Sequence, residues 1–99
     1  MSNFAKLVTE DRRLVILRFL DETPSRELNT SVLQSALDAY GHAVSRDQVE
    51  TDCAWLSEQG LVDVEPVGPV KVVSLTARGE DVAKGRVVQP GVKRPGPRS

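Results

Sequence analysis

Ninety-nine residues make one domain, and a chain this short buries only about 60–65% of the surface its unfolded form exposes, which argues against a large multi-layer enzyme with a deep pocket. Hydrophobic residues at 39% and charged residues at 27% are ordinary for a globular domain, and a net charge of −1 excludes a uniformly basic nucleic-acid coat or an acidic mimic. A lone cysteine, Cys53, and a lone histidine, His42, exclude an internal disulfide and a four-ligand zinc site, so no metal or other cofactor is expected.

Apolar runs are short. The longest, Leu14 to Leu17, falls far below the ~20 residues of a membrane span. No apolar run with a small-residue cleavage site follows Met1, so a cytoplasmic protein without membrane association is expected. The net charge hides a partition: residues 1–60 carry −4, residues 61–81 carry −2, and residues 82–99 carry +5. An acidic body with a basic tail is the pattern of a chain whose end meets polyanions, or of one whose end is merely solvated.

The first predicted helix runs from an N-cap at Thr9 to Glu22, with Glu10 and Asp11 at its positive end. Its apolar stripe (Leu14, Val15, Ile16, Leu17, Phe19, Leu20) is wide, either because the helix is central or because one flank, with Phe4, Leu7 and Val8, is a homodimer interface. Pro24 ends it. Asn29 is a good N-cap for a second helix, Thr30 to about Tyr40, which Gly41 stops. Ser45-Arg46-Asp47-Gln48 fits a capping box opening a third helix, Arg46 to about Gln59, with Val49, Cys53 and Leu56 buried. Gly60 ends that helix and the period changes from 3.6 to 2: Val62 to Pro66, a turn at Val67-Gly68-Pro69, and Val70 to Leu75 read as a hairpin. Thr76 caps a short last helix to about Gly85, weakened by Gly79. Residues 86–99, rich in Pro, Gly and basic side chains, read as a disordered tail.

This order predicts a mainly α fold with a small β-hairpin, a winged helix-turn-helix over residues 1–85. The run from Ser45 to Val62 resembles the recognition helix and first wing strand of bacterial winged-helix regulators, and Leu75-Thr76-Ala77-Arg78-Gly79 resembles the segment that follows their wing. Together with Leu7 to Leu17 and the ending Pro90-Gly91-Val92-Lys93-Arg94-Pro95, these runs resemble a family of small proteins encoded in Mu-like prophages, itself similar to ArsR-type winged-helix proteins. The resemblance implies a phage or prophage origin and work inside the bacterial host cell. ArsR-like proteins sense metals through cysteine clusters; lone Cys53 and His42 do not repeat that.

In such a fold the third helix enters the major groove. Arg46 would meet guanine or phosphate, Gln48 adenine, and Thr51 a phosphate or thymine methyl. Asn29 and Thr30, at the start of the second helix, would hold a phosphate, and Lys71 would do so from the wing. Lys93, Arg94 and Arg98 would add sequence-independent affinity. The reading is a DNA-binding transcriptional regulator. Its alternative is a protein-interaction adaptor in phage assembly or DNA packaging with no duplex preference, because the third helix carries Arg46 against Asp47, Glu50, Asp52 and Glu58. Cys53 reads as core, His42 as a solvated turn residue, Trp55 as core or interface, and the helix carboxylates as solvated. No catalytic triad or phosphate-binding glycine loop is present, so no enzyme is expected.

Overall fold

The computed structural model describes residues 2–96. Seven elements follow one another: α1 (Asn3–Glu22), β1 (Glu27–Asn29), α2 (Thr30–Ala39), α3 (Arg46–Glu58), β2 (Val62–Val67), β3 (Val70–Leu75) and α4 (Ala77–Ala83). The described residues thus form four helices and a three-stranded antiparallel sheet of order β1-β3-β2.

Helix α1 begins well before the expected Thr9. Ser2 is its cap, accepting the Ala5 backbone N–H. The apolar stripe misled because Phe4 and Leu7, in the added turns, stay exposed at 75% and 61%. Farther along, α1 is buried almost all round, with Ile16, Leu17 and Leu20 fully enclosed, so its wide stripe is that of a central helix.

Strand β1 was not expected. Its three residues are too few to show an alternation, and they gain their partners from β3, with Leu28 opposite Val73. The turn leading into it holds Arg26 at φ +62°, a left-handed conformation that costs a non-glycine residue roughly 1–2 kcal/mol. Its guanidinium is held by Asp21 at 3.0 Å and Glu80 at 2.6 Å, and its carbonyl accepts from Leu75.

The hairpin forms as expected but with a tighter loop, since Val67 pairs with Val70 and only Gly68, at φ +59°, and Pro69 remain in the turn. Alternation sends Val62, Val64, Val73 and Leu75 inward, against the core or packed on its edge. That core also takes Leu33 and Leu37 of α2, Val49, Cys53 and Leu56 of α3, and Val82 of α4.

Gly79 does more than weaken α4. A Cβ there would stand 2.0 Å from the Leu61 carbonyl oxygen and 2.7 Å from Leu75, so only glycine lets α4 lie on the base of the hairpin. Thr76 caps α4, and its side chain and backbone N–H also reach the carbonyls of Gly60 and Leu61.

The expected disordered tail is a strap over its described part. Val92 is 7% exposed, and the Lys93 N–H donates to the Glu10 carbonyl. The Arg13 guanidinium lies 3.8 Å over the Trp55 ring and donates to the Gly91 carbonyl at 2.9 Å. Composition concealed this, since one buried valine, a stacked arginine and a glycine against an indole leave no periodic signal.

Candidate nucleic-acid interface

The residues expected to meet DNA are placed by the ends of α2 and α3 and by the hairpin. Asn29 accepts the Val32 N–H at 2.8 Å, which makes it the cap of α2. Thr30 is fully buried, and its hydroxyl accepts the Lys71 N–H at 3.2 Å. It ties α2 to β3 and cannot meet a phosphate, which corrects the sequence reading.

On α3, Ser45 accepts the Gln48 N–H at 3.1 Å, so half of the predicted capping box forms. The Gln48 side chain does not reach back to close it. Its amide donates to Asp52 at 3.3 Å and is half-buried, so it is not a free adenine reader. Arg46 is half-buried and donates to Gln34 Oε1 at 3.1 Å. Thr51 is exposed. Lys71 stands 3.3 Å from Glu50. Asp47 and Glu58 are exposed and have no cation within 4 Å among the described residues.

Away from that face, Lys93 pairs with Asp11 at 3.3 Å and Arg94 is exposed. Arg98 lies outside the described residues. The structure therefore brings Arg46, Thr51 and Lys71 to the α3 side of the molecule and anchors Lys93 beside α1.

The sequence reading missed a buried polar cluster where α1 crosses α3. Arg12 Nε donates to Asp52 Oδ2, and their side chains are 7% and 2% exposed. Arg13 Nε lies 3.8 Å from the same carboxylate. Burial pulls the Arg13 pKa below its ordinary value, opposed by the Asp52 charge. Asp52 is thus no solvated helix carboxylate. The available signal was that Asp52 lies beside Cys53 and three residues from Val49, on the inward side of α3.

His42 is likewise no solvated turn residue. Its Nε2 is 2.7 Å from Asp11 Oδ2, with the side chain 11% exposed. Burial raises the Asp11 pKa, but hydrogen bonds from His42 and Lys93, and their charges, outweigh it and leave the carboxyl below its ordinary value. Cys53 is a core cysteine whose thiol is pushed up to about 12, first by burial and then by the charges of Asp52 and Glu50. A thiol so protonated is a poor nucleophile.

Among the described residues no group of three or more His, Cys, Asp or Glu is arranged to hold a metal ion, and no helix is long and apolar enough to cross a membrane. The chain is 57% identical over 93 residues to the uncharacterized protein gp26 of Escherichia phage Mu, covering 94% of this chain and 96% of that one. It belongs to the same family of Mu-like phage proteins. A protein of Haemophilus influenzae, also described as uncharacterized, is 44% identical over 77 residues, which covers 77% of this chain and 74% of that relative. No family model matches the chain, and no solved structure matches it. The phage relationship expected from the sequence therefore stands on gp26.

Proposed function

We propose that this gp26 relative is a winged-helix protein-interaction adaptor that meets a basic partner in phage assembly or DNA packaging. The order α1-β1-α2-α3-β2-β3, with β1 laid on β3, supports the winged-helix reading. The observation that carries the function is the disposition of charge. On the α3 side Lys71 is taken by Glu50 and Arg46 is held by Gln34, while Asp47 and Glu58 face outward unpaired among the described residues. Duplex affinity rests on several Lys and Arg freed for phosphates, and this face offers the opposite. Fold alone does not decide between the two uses.

Fluorescence anisotropy of the full chain against mixed-sequence duplex, from low to physiological salt, tests the reading. The expected result is no binding at physiological salt. Binding that persists there and is lost in Arg46→Ala overturns it in favour of a DNA-binding regulator. One observation favours that second reading: Thr51 is exposed on α3, and Arg46, at the first position of that capped helix, is only half-buried.

A further inference from the structure

Side-chain alternation leaves one face of the sheet with no element over it among the described residues. Pairing sets Glu27, Ser74 and Asp63 in one row, Asn29, Val72 and Glu65 in the next, and Val70 and Val67 in the last. The opposite face of the same strands carries Leu28, Val64, Val73 and Leu75 into or onto the core. A shallow groove of about 290 Å³ runs over the open face between Glu27, Asp63, Glu65, Val67 and Val72. Val67 is 48% exposed. An apolar strip thus runs up β3 and over to the hairpin tip, bordered by three carboxylates.

Several acids near α1 and α4 are neutralised, whereas Asp47 and Glu58 of α3 are not. Asp21 holds Arg26 and Lys84, Glu80 holds the same two cations, and Asp11 holds Lys93. Glu27, Asp63 and Glu65 have no cation within 4 Å among the described residues; Glu27 accepts only the Ser74 hydroxyl, at 3.1 Å. Like charges sharing a sheet face repel one another and destabilise the free fold.

We infer that the open sheet face docks a Lys/Arg-bearing extended segment of a partner protein, its apolar side chain on Val72 and Val67 and its cations against Glu27, Asp63 and Glu65. Adjacent strands are about 4.8 Å apart, so Glu27 and Asp63, on either side of β3, flank a bound chain at about twice that spacing. Alternate side chains of an extended segment fall about 6.6 Å apart, the repeat that also separates Asp63 from Glu65. The negative sign of the face turns away nucleic acid. This inference rests on the adaptor reading and locates its surface.

The test is an amide chemical-shift titration of the full chain with the peptide Lys-Ser-Val-Ser-Arg, whose cations and valine share one face of an extended chain, alongside Glu-Ser-Val-Ser-Glu and Mg²⁺ alone. Shifts confined to Glu27, Val64 to Val67, Val72 and Ser74, seen only with the basic peptide and weakening with salt, are expected. Asp63→Lys with Glu65→Lys, at exposed positions, should lower affinity about tenfold or more while the thermal melt shows the fold intact. No shifts at millimolar peptide, equal binding by the double variant, or the same shifts with Mg²⁺ would each overturn the inference. Shifts centred on Asp47 and Glu58 would also overturn it, yet would leave the adaptor reading standing with α3 as its surface. Duplex binding at physiological salt together with sheet shifts from the basic peptide would refute the adaptor reading and keep the site.

Discussion

Replacing Asp52 by alanine leaves the Arg12 guanidinium buried without its counter-charge. The side chains are 2% and 7% exposed, so water cannot screen the loss, and Gln48 and Arg13 lose the same carboxylate. Breaking one partner of such a buried pair costs about 3–5 kcal/mol. A domain of this size has a total stability of about 5–15 kcal/mol, so Asp52→Ala removes a large share of it. Urea unfolding, followed by far-ultraviolet circular dichroism and Trp55 emission, reads the loss. With a urea slope of about 2 kcal/mol per molar, the midpoint should fall by about 2 M. The double variant Arg12→Met with Asp52→Leu should recover most of it, because a buried ion pair replaced by apolar side chains of similar size is often neutral. A loss below about 1 kcal/mol for Asp52→Ala would refute the reasoning, since a pair worth so little behaves as a hydrated one. A double variant as unstable as the single one would show that packing, not the stranded charge, accounts for the loss.

Gly79→Ala forces a Cβ onto the Leu61 carbonyl, a backbone atom that cannot rotate away. Overpacking costs of about 1–3 kcal/mol should outweigh the ~1 kcal/mol alanine gains in a helix, and a thermal melt showing stabilisation would contradict the close approach. Gly91→Ala should lift the strap from Trp55, 2.6 Å from the new Cβ, and shift tryptophan emission to the red with faster amide exchange at Val92; an unchanged spectrum would count against the packed strap. Asp11→Asn tests the His42 and Lys93 contacts. The folded carboxyl lies below its ordinary 3.8, so its contribution is present above that value and lost as the pH falls through the folded pKa. The stability gap between the native chain and Asp11→Asn should therefore close in acid below about pH 4, and a gap that widens there would reverse the sign of the argument. Cys53 should resist thiol reagents in the folded chain and react only on unfolding; rapid labelling of the native protein would contradict its burial.

The sequence made the helices and the hairpin legible wherever a stop signal met a period. Asn29, Ser45 and Thr76 cap α2, α3 and α4 as their side chains suggested, and Gly68 turns the hairpin. Of the features that escaped, three did so for separate reasons. Strand β1 is defined by its pairing with β3, a long-range fact. The strap is held by single contacts at Gly91, Val92 and Lys93 rather than by a pattern. The Arg12–Asp52 pair joins residues forty positions apart, so neither helix alone shows the partner that makes its burial tolerable. For the candidate interface, the positions on α3 were readable but their availability was not. Whether Arg46, Gln48 or Thr30 is free depends on Gln34, Asp52 and Lys71, neighbours supplied by the tertiary structure.

The clamp at the base of the hairpin has a mechanical consequence. Thr76 bonds Gly60 and Leu61, and Gly79 brings α4 onto the Leu61 carbonyl, so both strands leave the body from one fixed footing. A load applied at Val67 or Val70 would pass to α4 and, through Arg26 and Lys84, which bridge Glu80 to Asp21, to the end of α1.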